Sequence, residues 1–150
     1  MTDGRLEEDY AKLAYEVRLY RKQLVILQKE IERITLTALD LTNAMNAVEK
    51  LEKADAFIPI GGNSYVKGQI PEGSVLVAVG SGYLVEMEKN VAKEKMKSRV
   101  ETTKIAVNKM TQEFGKISGK LEAVTSQLKQ LERRILIDKR VEEEVSDDYR

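Results

Sequence analysis

The sequence predicts an α+β chain, a long antiparallel coiled-coil helical hairpin with two β-hairpins at its centre. Three observations carry that prediction. Charged residues make up 33% of the 150 and aromatics only 5%, a balance that favours long helices with solvated faces over a large compact core. Apolar residues recur at alternating steps of four and three along both flanks. Between Ala54 and Met87 only Asp55, Lys67, Glu72 and Glu86 are charged, yet the stretch holds both prolines and six of the nine glycines. Helix interiors exclude Pro and Gly, so this middle is built differently from its flanks.

The first helix is expected over 5–53. Its seam runs Leu6, Tyr10, Leu13, Val17 and onward through Leu24, Leu27 and Ile31 to Met45 and Val48 without a miss. The second helix, 88–143, repeats the pattern from Met96 and Val100 through Val107, Ile117 and Leu131 to Ile135, with Thr103 its only polar member. A sustained period of 3.5 makes a narrow apolar seam on a left-handed supercoil, and each seam needs a partner. The economical pairing is within the chain, antiparallel, with Val48 near Met96 and Leu6 near Ile135. Helices of about 45 residues would then carry both ends to a tip roughly 60–75 Å from the hairpins. Leu36 and Leu39 add apolar groups outside the seam and predict a second neighbour there. Gly115 and Gly119, mid-helix, are read as local flexibility or close helix approach. Residues 144–150 are expected to form an acidic tail.

The middle, 54–87, reads as two hairpins. Phe57-Ile58-Pro59-Ile60 and Ser64 to Ile70 flank Gly61-Gly62-Asn63, while Val75 to Val79 and Tyr83 to Met87 flank Gly80-Ser81-Gly82. Four short strands cannot cover a continuous Val-Leu-Val-Ala-Val run on both faces, so strands from other chains are expected to complete the sheet. Phe57, Ile60, Val66, Val75, Val77, Val79, Tyr83 and Val85 are the candidate oligomerisation residues.

The absences narrow the function. Without Cys or His there is no thiol nucleophile, disulfide framework, imidazole relay or thiolate metal site. A formal charge of zero gives no global attraction to nucleic acid or to an anionic membrane, and little long-range steering of any partner. No apolar run approaches a membrane span, and Met1-Thr2-Asp3-Gly4 does not open a targeting segment, so a soluble cytoplasmic protein is expected. Gly80-Ser81-Gly82 is half of a dinucleotide fingerprint, but Val85 stands at the third glycine and a hairpin turn explains both glycines. The carboxylates lie among basic partners on helix surfaces, where ion pairing accounts for them better than acid–base catalysis. No catalytic residue, cofactor site or metal site is expected. At the far end Leu6, Tyr10 and Leu13 face Leu131 and Ile135, and Leu136, Ile137 and Val141 exceed what one helix pair covers. This surplus reads either as an adaptable apolar site or as a loosely closed coil end.

Ile58-Pro59-Ile60-Gly61-Gly62-Asn63-Ser64-Tyr65-Val66-Lys67-Gly68 and Val77-Ala78-Val79-Gly80-Ser81-Gly82-Tyr83-Leu84-Val85-Glu86, set between two coils, resemble the prefoldin alpha subunits, most closely the archaeal type. Two hairpins rather than one favour the alpha type, and Gly61-Gly62-Asn63-Ser64 replaces a Gly-Ala-Gly-Ser-like turn. The resemblance implies an ATP-independent chaperone subunit, two alpha with four beta-type subunits, whose hairpins build an oligomeric β-barrel bearing coiled-coil arms. It also implies that the arm tips, here Leu6, Tyr10, Leu13, Leu131, Ile135, Leu136 and Ile137, capture unfolded polypeptides for delivery to a group II chaperonin. The rival from another class is a structural coiled-coil spacer or a filament-forming prefoldin-like protein.

Overall fold

A computed structural model describes residues 2–147. Six elements follow in order: α1 (Thr2–Glu49), β1 (Ala54–Gly61), β2 (Ser64–Ile70), β3 (Ser74–Gly80), β4 (Tyr83–Glu88) and α2 (Lys89–Asp147). The unbroken 3.5-residue repeat accounts for both helices, of 48 and 59 residues. Helix α2 continues through the start of the expected acidic tail, whose last three residues lie outside those described. The chain divides into two units, Met1–Glu32 with Asn108–Arg150, and Arg33–Val107.

In the first unit the helices run antiparallel. Tyr10 meets Glu132 across the pair, and Tyr20, Gln23 and Leu27 share a groove with Glu113, Ile117 and Lys120. Val17 and Ile117 are buried in the seam. Gly115 and Gly119 do not mark close helix approach, since a Cβ built at either would meet nothing within 4 Å. Gly115→Ala and Gly119→Ala should therefore each raise stability by about 0.4–1 kcal/mol through the lost entropy of the unfolded chain. Thermal melting checks this, and a lowered midpoint would show a packing role for the glycines.

The second unit holds both hairpins, each a separate two-stranded antiparallel sheet. Both turn through two-residue loops, Gly62-Asn63 (φ 55° and 56°) and Ser81-Gly82 (φ 50° and 79°). Positive φ at both central residues matches the twist of the flanking strands, which is why Gly and Asn collect here. A bulge precedes each turn, between Pro59 and Gly61 and between Ala78 and Gly80. The register pairs Val77 with Val85 and Val75 with Met87, so these four share one face of the second hairpin while Leu76 and Leu84 take the other. The first face packs on the helices, where Val77, Val48, Ala92 and Met96 form a buried cluster against Ala44, Met45, Val75 and Met87.

Polar contacts fix the same junction. The Lys89 backbone N–H donates to Gly73 O at 3.0 Å, the Lys89 ammonium to Leu51 O at 2.9 Å, and the Arg99 guanidinium to Ala78 O at 2.7 Å. The Lys93 ammonium lies 2.6 Å from the Glu49 carboxylate. That hydrogen bond first, and the lysine charge second, hold the Glu49 carboxyl below its ordinary value. A depressed carboxyl contributes stability that is present above its unfolded pKa and lost as pH falls through the lowered value. Lys93→Met should return the Glu49 titration to the ordinary carboxylate range, as followed by NMR. A curve that stays low would remove Lys93 as the cause.

Candidate client and assembly surfaces

The sequence placed one surface at the ends of the seam. In the structure, helix periodicity turns Leu6, Tyr10, Leu13, Leu131 and Ile135 into the helix pair, where all five are half-buried. Leu136 and Ile137 lie outside it, 61% and 60% exposed. Tyr10, Ile135 and Leu136 line one open groove of about 520 Å³ with Glu7, Glu132 and Lys139. Leu13 and Leu131 line a neighbouring, more polar groove with charged residues such as Asp9, Glu16 and Arg134. Leu6 and Ile137 line neither. The Tyr10 hydroxyl donates to Glu132 Oε1 at 3.1 Å, tying the two helices beside the groove. That hydrogen bond, and then the carboxylate charge, raise the phenol above its ordinary value. A raised phenol leaves this tie in place below its ordinary pKa, and the tie is lost as pH rises through the raised one. No heptad pattern marks Glu132 as its acceptor.

The assembly surface predicted on the hairpins separates into two groups. Phe57, Ile60, Val66, Val79, Tyr83 and Val85 are all exposed, from 40% at Val79 to 71% at Tyr83. Val75 is half-buried and Val77 only 3% exposed. The structure places these two on the chain's own core, because their strand face closes over Val48 and Met96. The candidate oligomerisation residues did not include Ile58, Tyr65, Leu76 and Leu84, each more than half exposed. Register could have found them, since Ile58 pairs with Val66, Pro59 with Tyr65, and Leu84 with Ala78. In the first hairpin Ile58 also leans across Gly68, where a Cβ would stand 2.6 Å from its Cδ1. Ile58 with Val66, and Phe57 with Pro59 and Tyr65, therefore leave apolar side chains on both faces of the first hairpin, which a pair of strands cannot cover alone.

Among the described residues no group of acidic side chains could hold a metal ion, no polar or charged side chain is buried, and no helix is long and apolar enough to cross a membrane.

The family model described as prefoldin subunit matches residues 20–134, which takes in both hairpins and most of each helix. The chain belongs to the prefoldin family. It is similar to the prefoldin alpha subunit of Methanobrevibacter smithii, 26% identical over 83% of this chain and 88% of the relative. It is also similar to prefoldin alpha subunit 1 of Methanocaldococcus jannaschii, 29% identical over 87% and 90% of the two. Among solved structures it matches a chain of the filamentous prefoldin of that organism with a TM-score of 0.65 at 20% identity, covering 76% of this chain and 98% of the other. Two long helices carrying two small antiparallel hairpins are thus a prefoldin fold, and the chain is a prefoldin chaperone subunit.

Proposed function

We propose that this prefoldin subunit works as an alpha-type arm. It joins four beta-type subunits and a second copy of itself through the two hairpins, and holds unfolded polypeptide at the far ends of α1 and α2. The cargo passes to a group II chaperonin in the cytoplasm without catalysis or a cofactor. The observation that carries this reading is the groove of Tyr10, Ile135 and Leu136 with Leu136 and Ile137 exposed beside it. An open apolar groove tolerates varied segments because its contacts are non-directional. Assembly has a physical basis in the exposed hairpin faces around Phe57, Ile60 and Tyr83, whose apolar area is covered once strands from other subunits pair with them.

Shortening only this subunit, from before Leu13 and after Leu131, in an otherwise intact complex tests the reading. Light scattering of an aggregating client should rise towards the level without chaperone while the mass of the complex, corrected for the deleted residues, is unchanged. Undiminished suppression would assign the grip to the partner subunits. A second reading, a self-polymerising spacer, is favoured by the same exposed hairpin faces. Weighing the chain alone and with a beta-type subunit separates the two, since a spacer forms polydisperse filaments that the partner does not cap.

A further inference from the structure

A formal charge of zero conceals a segregated arm. Between Glu16 and Glu30, α1 carries Arg18, Arg21, Lys22 and Lys29 and no acid. Seven-residue spacing from the seam at Val17 and Leu24 puts Tyr15, Lys22 and Lys29 in one row on the side turned away from α2, with Leu19 and Ile26 in the adjacent row. In a two-stranded coil these rows are normally polar and of mixed charge. Here Tyr15 is 62% exposed, Leu19 41% and Ile26 59%. This back face is apolar and purely basic, a second amphipathic surface, and Ile26 at its edge also lines the groove shared with Glu113, Ile117 and Lys120 of α2.

The end of α2 has the complementary chemistry. Ile137, Val141 and Val145 follow at four-residue steps in one row, 60%, 52% and 52% exposed, and the stretch they span holds Asp138, Glu142, Glu143 and Glu144 against Lys139 and Arg140, with the three glutamates gathered in its last turn. We infer that the acidic end of α2 in one copy docks on the basic back face of α1 in a second copy, Ile137, Val141 and Val145 against Tyr15, Leu19 and Ile26. The contact cannot form within one chain. Tyr10 stands opposite Glu132, so Tyr15 is level with residue 127, and the unbroken helix holds Val141 about 21 Å farther along the axis. Anionic membranes and nucleic acid fit the back face less well. Acids at Glu16 and Glu30 bracket it, and Leu19 and Ile26 offer aliphatic surface at helical spacing rather than stacking planes. Because Ile137 also belongs to the proposed client surface, docking withholds it until a client competes. That consequence rests on the tip reading, whereas the contact itself does not.

The chain has no Cys, so dyes can be placed singly. Full-length chains labelled through Ala11→Cys are mixed with full-length chains labelled through Lys139→Cys, without client, and energy transfer between copies is recorded. Transfer is expected at low salt and should fall as ionic strength rises, since exposed charges are screened beyond about 10 Å at 0.1 M. Lys22→Glu with Lys29→Glu should weaken the interaction about tenfold, and Glu142→Lys with Glu144→Lys should do the same. The four changes together should restore transfer to near the starting level, the signature of a pairwise charge contact. Transfer that ignores either reversal, or a four-fold variant that stays weak with its helix content intact by circular dichroism, would overturn the proposal. So would loss of transfer on adding equimolar duplex DNA or anionic lipid vesicles, which would assign the basic face to those occupants.

Discussion

Val77→Asp should cost this chain about 3–5 kcal/mol of stability, the cost of an uncompensated charge in an apolar interior. Val77 is 3% exposed and packs with Val48, Ala92 and Met96, so the damage falls first on the chain's own hairpin–helix junction. Assembly then fails as a consequence of local unfolding. Phe57→Asp and Tyr83→Asp should behave in the opposite way. Both side chains are about 70% exposed, and surface changes away from special contacts usually stay within about 0.5 kcal/mol. Their cost appears only where another subunit covers them, at roughly 1.5–3 kcal/mol for each aromatic side chain buried, or more than tenfold in assembly. Denaturant unfolding alongside sedimentation distinguishes the two classes. If Val77→Asp kept wild-type stability and released intact monomers, Val77 would belong to the interface and the core assignment would be wrong.

The second large effect is expected at the tip. Leu136→Ser with Ile137→Ser, in a complex where only this subunit is changed, should weaken client capture about tenfold or more. Each side chain offers up to roughly 1.5–3 kcal/mol when fully covered, at about 25 cal/mol per Å². Both residues are exposed before any client arrives, so the substitutions should leave the helix pair and the mass of the complex unchanged. Tyr10→Phe provides the contrast. It keeps the ring on the groove and removes the hydroxyl that reaches Glu132, so client capture should change far less than in the double serine variant. Raising salt should also matter less than removing these side chains, because apolar burial is not screened. Capture that survives Leu136→Ser with Ile137→Ser but collapses at high salt would make the tip an electrostatic site.

Local physics made most of the fold legible in the sequence. A period of 3.5 is a property of consecutive residues, so thirteen seam positions in α1 and twelve in α2 identify both helices and their contact faces without reference to anything distant. The turns were legible for the same reason, since Gly62-Asn63 and Ser81-Gly82 need φ > 0 and few residues tolerate it. The groove at the helix ends was partly legible. Surplus Leu136 and Ile137 could be counted, but the bond from Tyr10 to Glu132, 122 positions away, follows no local rule.

What only the tertiary structure decided is which side of each strand faces in. Val75-Leu76-Val77-Ala78-Val79 is apolar throughout, and without polar–apolar alternation a strand carries no mark of its buried face. The helix pair made that choice. Val77 reaches Val48 and Met96 and is lost to solvent, while Leu76, one residue away, stays 63% exposed, because successive side chains leave a strand on opposite sides. The sequence determined that this chain has more apolar strand surface than it can cover; packing determined that Val75 and Val77 are the part it covers itself.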